Sequence, residues 1–269
     1  MPELPDVEGF RRLLADHGSG RWLEQVEVLD ASVLRNASPR DLARAMDGRR
    51  LLEPERHGKW LLARTDGPSL LFHFGMSGQL RWASGREGRH PHDRVVLKVD
   101  GGEIRFRDQR KLQGVWLVSG SREASSVTGP LGRDALGIPL EQLRKRLGGR
   151  RGMIKAALMD QELIAGLGNL LADEILWHAR IHPRRQAADL DDEEWERLHR
   201  SLTKVLRESV DAGCMPDEPS WLTGVRNQKA PACPRCGAGL EVARAGGRSS
   251  YSCPGCQPAL RQRPAAKAG

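Results

Sequence analysis

Cys233-Pro234-Arg235-Cys236, sixteen further residues, then Cys253-Pro254-Gly255-Cys256: this stretch decides how the C-terminal part of the chain folds. Two CxxC knuckles at that separation match a tetrathiolate zinc ribbon. Four soft thiolates fill the tetrahedral shell of one Zn²⁺ and leave no open position, so the metal is structural. A module this small has little core, and the metal supplies much of its folding free energy. Gly246-Gly247-Arg248-Ser249 reads as a hairpin turn between the knuckles, with Arg248 at its tip as a solvated residue or a phosphate contact. The fifth cysteine, Cys214, stands apart. That usage fits a reduced compartment and a metal, not a disulfide framework.

Upstream, helical periodicity runs over Pro139–Leu147, Met153–Met159, Leu170–His178 and Asp191–Val210, the last with acidic residues in its first turn. Between the second and third helices lies Gln161-Glu-Leu-Ile-Ala-Gly166-Leu-Gly168-Asn169. Its glycines permit tight turns and Asn169 is placed to cap the next helix. Free N–H groups at such a helix start form a phosphate site, with Arg151 and Lys155 one helix upstream. Residues 119–136, rich in Ser, Gly and Thr, read as a linker, and 213–231 as a second one.

The first ~120 residues alternate in the manner of short strands, with helices after Pro5 and after the N-cap Ser38. Asp100-Gly101-Gly102 reads as a hairpin turn. The expected fold is α+β and multidomain. Residues 1–120 form a β-sandwich or barrel with flanking helices, 121–212 a helical domain, 225–258 the zinc ribbon and 259–269 a disordered basic tail. Net charge +8 and pI near 9.6 point to a polyanionic partner, nucleic acid first. No apolar run reaches the ~18 residues of a membrane span.

Position 2 carries unusual chemistry. With Met1 removed, Pro2 presents a secondary α-amine, which titrates near ~8 and is partly free base at neutral pH. Such an amine attacks carbon at the aldehyde oxidation level and yields an iminium. Glu3 beside it can move protons. Lys59, within Arg56-His57-Gly58-Lys59-Trp60, starts a strand. Met76 and Leu112 each fall at a turn, where an apolar side chain is either core or a wedge that enters a base stack.

Together these residues resemble the formamidopyrimidine-DNA glycosylase / endonuclease VIII family of base-excision repair enzymes. The pieces that carry the resemblance are Pro2-Glu-Leu-Pro-Asp-Val-Glu8, Gly58-Lys59-Trp60-Leu61, His73-Phe-Gly-Met-Ser-Gly78, Asp108-Gln-Arg-Lys111, Ala165-Gly-Leu-Gly-Asn169 with Ala172-Asp-Glu-Ile175, and the ribbon with its Gly-Arg turn. The resemblance implies a β-sandwich, a helix–two-turns–helix domain and a zinc finger, with double-stranded damaged DNA as partner. It implies Pro2 as nucleophile, Glu3 as proton shuttle, Lys59 and Arg248 as proton donors in two eliminations, and phosphate contacts from His92, Arg110, Arg151, Lys155 and Asn169. Met76 and Arg110 match residues that fill the gap left by a flipped nucleotide. It also implies a monomer working in the cytoplasm. Some positions depart from the family pattern. Asp6 stands where Glu is common, Leu112 replaces a wedging Phe, Leu171 replaces a Tyr, and 211–232 lacks a Gly-Thr-Thr-rich loop. The missing loop favours oxidised pyrimidines or abasic sites over 8-oxoguanine. The alternative is a zinc-ribbon DNA-binding protein without catalysis.

Overall fold

The computed structural model describes residues 1–84 and 87–259, so the expected tail lies outside them beyond Ala259. The chain divides into two units: Met1–Asp134 with Val210–Cys214, and Ala135–Ser209 with the residues from Met215 onward.

In the first unit the order is α1 (Leu4–Gly18), β1 (Leu23–Val28), α2 (Pro39–Met46), β2 (Glu55–His57), β3 (Trp60–Ala63), β4 (Ser69–His73), β5 (Gln79–Ala83), β6 (Asp93–Val99), β7 (Gly102–Arg107), β8 (Val115–Val118) and α3 (Ser121–Thr128). Two four-stranded antiparallel sheets result, β1-β6-β7-β5 and β2-β3-β4-β8. Their inward residues, among them Val26, Leu61, Leu70, Phe72, Leu80, Leu97, Ile104 and Phe106, form one buried core. Phe72, Phe74 and Phe106 sit with ring centroids 5.6–6.2 Å apart; each such side chain contributes roughly 2–3 kcal/mol by leaving water. Of the sandwich or barrel that alternation allows, this is the sandwich, as the resemblance implies. Asp100-Gly101 closes the β6–β7 hairpin with Gly101 at φ +85°, and Ser38 caps α2 by accepting the Asp41 N–H, as expected.

The supposed linker 119–136 is not one throughout. Its Ser-rich middle folds as α3, started by Glu123 accepting the Ser119 N–H at 2.7 Å. No residue of α3 is buried, so it has no apolar stripe for periodicity to reveal. β2, Glu-Arg-His, escapes for a similar reason: three charged or polar residues carry no strand signal.

The second unit holds α4 (Leu140–Leu147), α5 (Ile154–Met159), α6 (Asn169–Ala179), α7 (Asp192–Ala212, its end in the first unit), α8 (Leu222–Val225) and the ribbon hairpin Glu241–Ala245/Arg248–Ser252. Asp191 and Glu194 cap α7 reciprocally, at 2.8 and 3.0 Å. α6 is buried from Leu171 to Trp177. The expected linker 213–231 likewise contains a helix, α8, whose first N–H groups end on a buried carboxylate. Leu222 N–H and Thr223 N–H donate to Glu174 at 3.1 and 3.0 Å. No helix among the described residues is long and apolar enough to cross a membrane.

Candidate functional site

Pro2 is half-buried and Glu3 fully buried at the start of α1. Asp6 turns back on this start and accepts the Glu3 N–H at 2.8 Å, so its carboxylate is engaged in capping. Burial pushes the Asp6 carboxyl above its ordinary value, against the pull of that N–H. Further along α1, Glu8 meets Arg56 of β2 at 3.0 Å. Arg56 in turn reaches Asp134 and the carbonyl of Gly58. Gly58 and Lys59 form the two-residue turn between β2 and β3, with Gly58 at φ +57°. Behind it His73 packs edge-on against Trp60, centroids 4.6 Å apart. Its Nδ1 accepts the Gly75 N–H at 3.1 Å. Burial and then the charge of Lys59 push the His73 imidazole down to about 4.

Two other turns of this unit carry the apolar candidates. Met76 lies between β4 and β5 and Leu112 between β7 and β8; both stay exposed, at 43% and 52%. Ser77 Oγ joins the turns. It donates to Asp108 Oδ1 at 2.5 Å and accepts the Arg110 N–H at 2.9 Å. Lys111, at φ +52°, is pinned from the far side through Asp30, 3.0 Å away. The backbone is therefore fixed while Met76, Arg110 and Leu112 project into solvent. Their exposure sets aside the core alternative. His92 is half-buried, its Nδ1 3.2 Å from Arg94 Nη2.

In the second unit the loop between α5 and α6 is held by Gln161. Its amide donates to the carbonyls of Met159 and Leu167 at 2.8 and 2.9 Å and accepts the Gly166 N–H at 3.0 Å. Gly166 has φ +111°. Asn169 is not the cap: extended Gly168 takes that position, and Asn169 begins the helix. Glycine spares the N-cap a side chain, and Asn169 Oδ1 is left buried without a hydrogen-bond partner. Arg151 is exposed. Lys155 departs from expectation. It has no exposed surface, and its Nζ lies 2.7 Å from Asp173 and 3.1 Å from the Ser249 carbonyl. A buried ammonium needs such a partner, and Lys155 here fastens the ribbon instead of facing solvent phosphate.

Asp173 is the matching hub that sequence reasoning missed. It accepts Ser250 Oγ–H at 2.7 Å and the Tyr251 N–H at 3.3 Å, and lies 3.4 Å from Arg226. Arg226 also stacks over the Tyr251 ring at 4.3 Å. The only sequence signal was Ala-Asp-Glu-Ile itself, two acids within an otherwise apolar helix. Beyond this anchor the Gly246-Gly247 turn, both residues at positive φ, presents Arg248 exposed. A side chain at Gly246 would stand 3.0 Å from Ala156, so glycine is required for that approach.

The four ribbon cysteines bring their Sγ atoms within 4.8 Å of one another. Cys236–Cys253 is 3.4 Å and Cys233–Cys256 3.9 Å. A tetrahedron of Zn–S bonds near ~2.3 Å has edges of about 3.8 Å, so the donor set fits one structural zinc. Trp177 Nε1–H donates to Cys233 Sγ at 3.3 Å, and buried Gln257 ties the Cys253 N–H to the Ile181 carbonyl. Such outer contacts orient the thiolates.

Comparison with known proteins follows the same division. The formamidopyrimidine-DNA glycosylase N-terminal domain matches residues 1–115, the H2TH domain of that glycosylase 131–216, and the zinc finger found in FPG and IleRS 232–259. The formamidopyrimidine-DNA glycosylase of Pelotomaculum thermopropionicum is 35% identical over 277 residues, covering 96% of this chain and 99% of the relative. Lactococcus lactis FPG bound to DNA containing an oxidised pyrimidine is similar with a TM-score of 0.86 at 27% identity, covering 96% of this chain and 100% of that one. The same enzyme with abasic-site DNA gives 0.85 at 27% identity and the same coverage. All three parts occur in order and the relative is matched along nearly its whole length, so the chain belongs to the formamidopyrimidine-DNA glycosylase family.

Proposed function

We propose that this DNA glycosylase is bifunctional, removing an oxidised base through the amine of Pro2 and then cutting the strand by β,δ-elimination. The observation that carries the reading is the joint presence, in one unit, of Pro2-Glu3 at the start of α1 and of Lys59 on a turn clamped to that helix through Glu8 and Arg56. DNA binding alone requires none of Pro2, Glu3, Lys59 or Arg248, which disfavours a non-catalytic module.

The steps balance as follows. The Pro2 amine bonds to C1′ and the base leaves with the glycosidic electron pair and a proton. The nitrogen loses its proton, and its lone pair opens the C1′–O4′ bond as Glu3 protonates O4′; an iminium results. That electron sink acidifies C2′. Loss of the C2′ proton gives an enamine, whose pair then forms C2′=C3′ as the 3′-phosphate departs. Lys59 is the proton donor in this first elimination and Arg248 in the second, which frees the 5′-phosphate. Exposed Arg110 and Arg151, with half-buried His92, hold phosphates; Met76 and Arg110 fill the space of the flipped nucleotide, and Leu112 takes the wedge position. Zinc keeps the ribbon folded and takes no part in the chemistry. The protein works as a monomer, in the cytoplasm.

Oxidised pyrimidines and abasic sites are the preferred substrates. Leu112 stands in place of an aromatic wedge. The segment after α7 lacks a Gly-Thr-Thr-rich loop able to fold over a purine, and the short helix within it, α8, starts on Glu174.

Borohydride trapping on an abasic-site duplex tests the chemistry. The expected result is a covalent adduct that Pro2→Gly abolishes. Absence of any adduct from Met-processed protein favours the binding module. Excision rates on 8-oxoguanine and 5-hydroxycytosine duplexes test the substrate reading, and a preference for 8-oxoguanine overturns it.

A further inference from the structure

Asp134 lies in the stretch that reads as a linker, yet it accepts from both Arg56 and Gly58 just before Lys59. Its Oδ2 takes the Gly58 N–H and an Arg56 N–H, each at 2.6 Å, and its Oδ1 takes a second Arg56 N–H at 3.0 Å. Arg56 spends its remaining donors on the Gly58 carbonyl at 3.1 Å and on Glu8 of α1 at 3.0 Å. Both backbone groups of Gly58 are therefore held by one bidentate pair whose arginine is 6% exposed and whose aspartate is 19% exposed. His57 secures the same side by its 2.8 Å contact with the Gly132 carbonyl. Fork-to-fork pairs of this kind fix orientation as well as distance. Gly58 sits at φ +57°, where a glycine has several conformations of similar energy. Without the clamp nothing in its own stereochemistry selects this one.

We propose that Asp134 is a positioning residue for the elimination half of the reaction. It acts through Arg56 and the Gly58 peptide to hold Lys59 where it delivers its proton. This rests on the reading above in which Lys59 serves the first elimination. The carboxylate contributes nothing to the attack of Pro2, which is borne at the other end of the Glu8 connection.

The test uses the full chain with zinc and a duplex carrying a preformed abasic site, under single turnover. Borohydride trapping reports the iminium, and strand scission reports elimination. Asp134→Asn should slow scission by about ten-fold while trapping stays within about two-fold, because a displacement below an ångström weakens proton delivery without touching the amine. Lys59→Ala should show the same split, and the double variant should be no slower than Lys59→Ala alone. If Asp134→Asn fails to fold, Asp134→Glu keeps the charge, moves the turn and should give a smaller loss of the same step. Trapping and scission falling together, or a double variant slower than Lys59→Ala by the full Asp134 factor, overturns the proposal. Slow Lys59→Ala beside unaffected Asp134→Asn refutes this proposal alone. Unaffected Lys59→Ala refutes the role of Lys59 as well.

Discussion

Asp173→Asn is the perturbation that most directly tests how the zinc ribbon is attached. Asp173 is 1% exposed and faces Lys155, 0% exposed, at 2.7 Å. Burial raises its carboxyl above the ordinary value against the pull of Lys155, and the 2.7 Å contact pairs the two groups. Asparagine is nearly isosteric and still accepts from Ser250 Oγ, so the packing and that hydrogen bond persist. What disappears is the countercharge for a buried ammonium and, at 3.4 Å, for the Arg226 guanidinium. Removing one member of a buried pair costs about 3–5 kcal/mol, and retention of the neutral hydrogen bond puts the expectation near ~3. A fair control is Asp192→Asn, which loses Arg144 at 2.7 Å between side chains 54% and 79% exposed; such pairs are worth under ~1 kcal/mol. The assay is urea unfolding followed in parallel by circular dichroism and by zinc release to a chromogenic chelator. Asp173→Asn should release zinc at lower urea than wild type and bind abasic-site DNA more weakly, with Asp192→Asn unchanged. Adding Lys155→Met should recover part of the loss, since the lone ammonium is then gone and only Arg226 is left without its partner. A midpoint within about 0.5 kcal/mol of wild type, with zinc release unaltered, refutes the hub.

The His73 imidazole, pushed down to about 4 from an ordinary 6.5, is neutral in the fold. Its contribution is fully present above pH 6.5 and is lost as pH falls toward 4. The drop reaches about 3 kcal/mol. His73→Gln, which still accepts the Gly75 N–H, should flatten unfolding free energy over that window, and an unchanged slope refutes it. Cys253→Ser removes a fully buried ligand and should abolish zinc binding by metal analysis and cut duplex affinity at least about ten-fold. Unchanged affinity after metal removal counts against it.

The parts of this chain that announce themselves do so by residue type. Cys233, Cys236, Cys253 and Cys256 have one common use at their spacing, and strand alternation needs only the apolar faces around Phe72 and Phe106. Helix limits were legible where a polar cap met a periodic run, as at Ser38 and Asp191. They were not legible where the helix buries nothing, as in α3, or where glycine does the capping, as at Gly168 before Asn169. In the candidate site, Pro2 and Glu3 stand out by the chemistry of a free α-amine beside a carboxylate, whereas Lys59 and Arg248 are marked only by the family resemblance. Lys155 misleads for the converse reason: a lysine in a basic protein looks exposed, and only the fold shows Asp173 beside it.

What the sequence conceals is the set of acids. Asp134, Asp108, Asp173 and Glu174 read as ordinary carboxylates, yet each receives backbone or side-chain donors from a turn, strand or helix start, three of which carry a candidate site residue. Asp134 holds the Lys59 turn, Asp108 the turns of Met76 and Arg110, and Asp173 the strand that follows Arg248. A protein of net charge +8 gains from this division. Acids on the surface would repel the phosphate backbone, whereas acids turned inward fix loops that glycines leave free and keep the outward field positive. The cost is desolvation, offset by two or more donors to each carboxylate, with Asp108 Oδ2 left buried without one. Loss of one such acid therefore affects the reach of a side chain on the segment it anchors, which is why Asp134→Asn and Asp173→Asn are more informative than substitutions of the exposed arginines themselves.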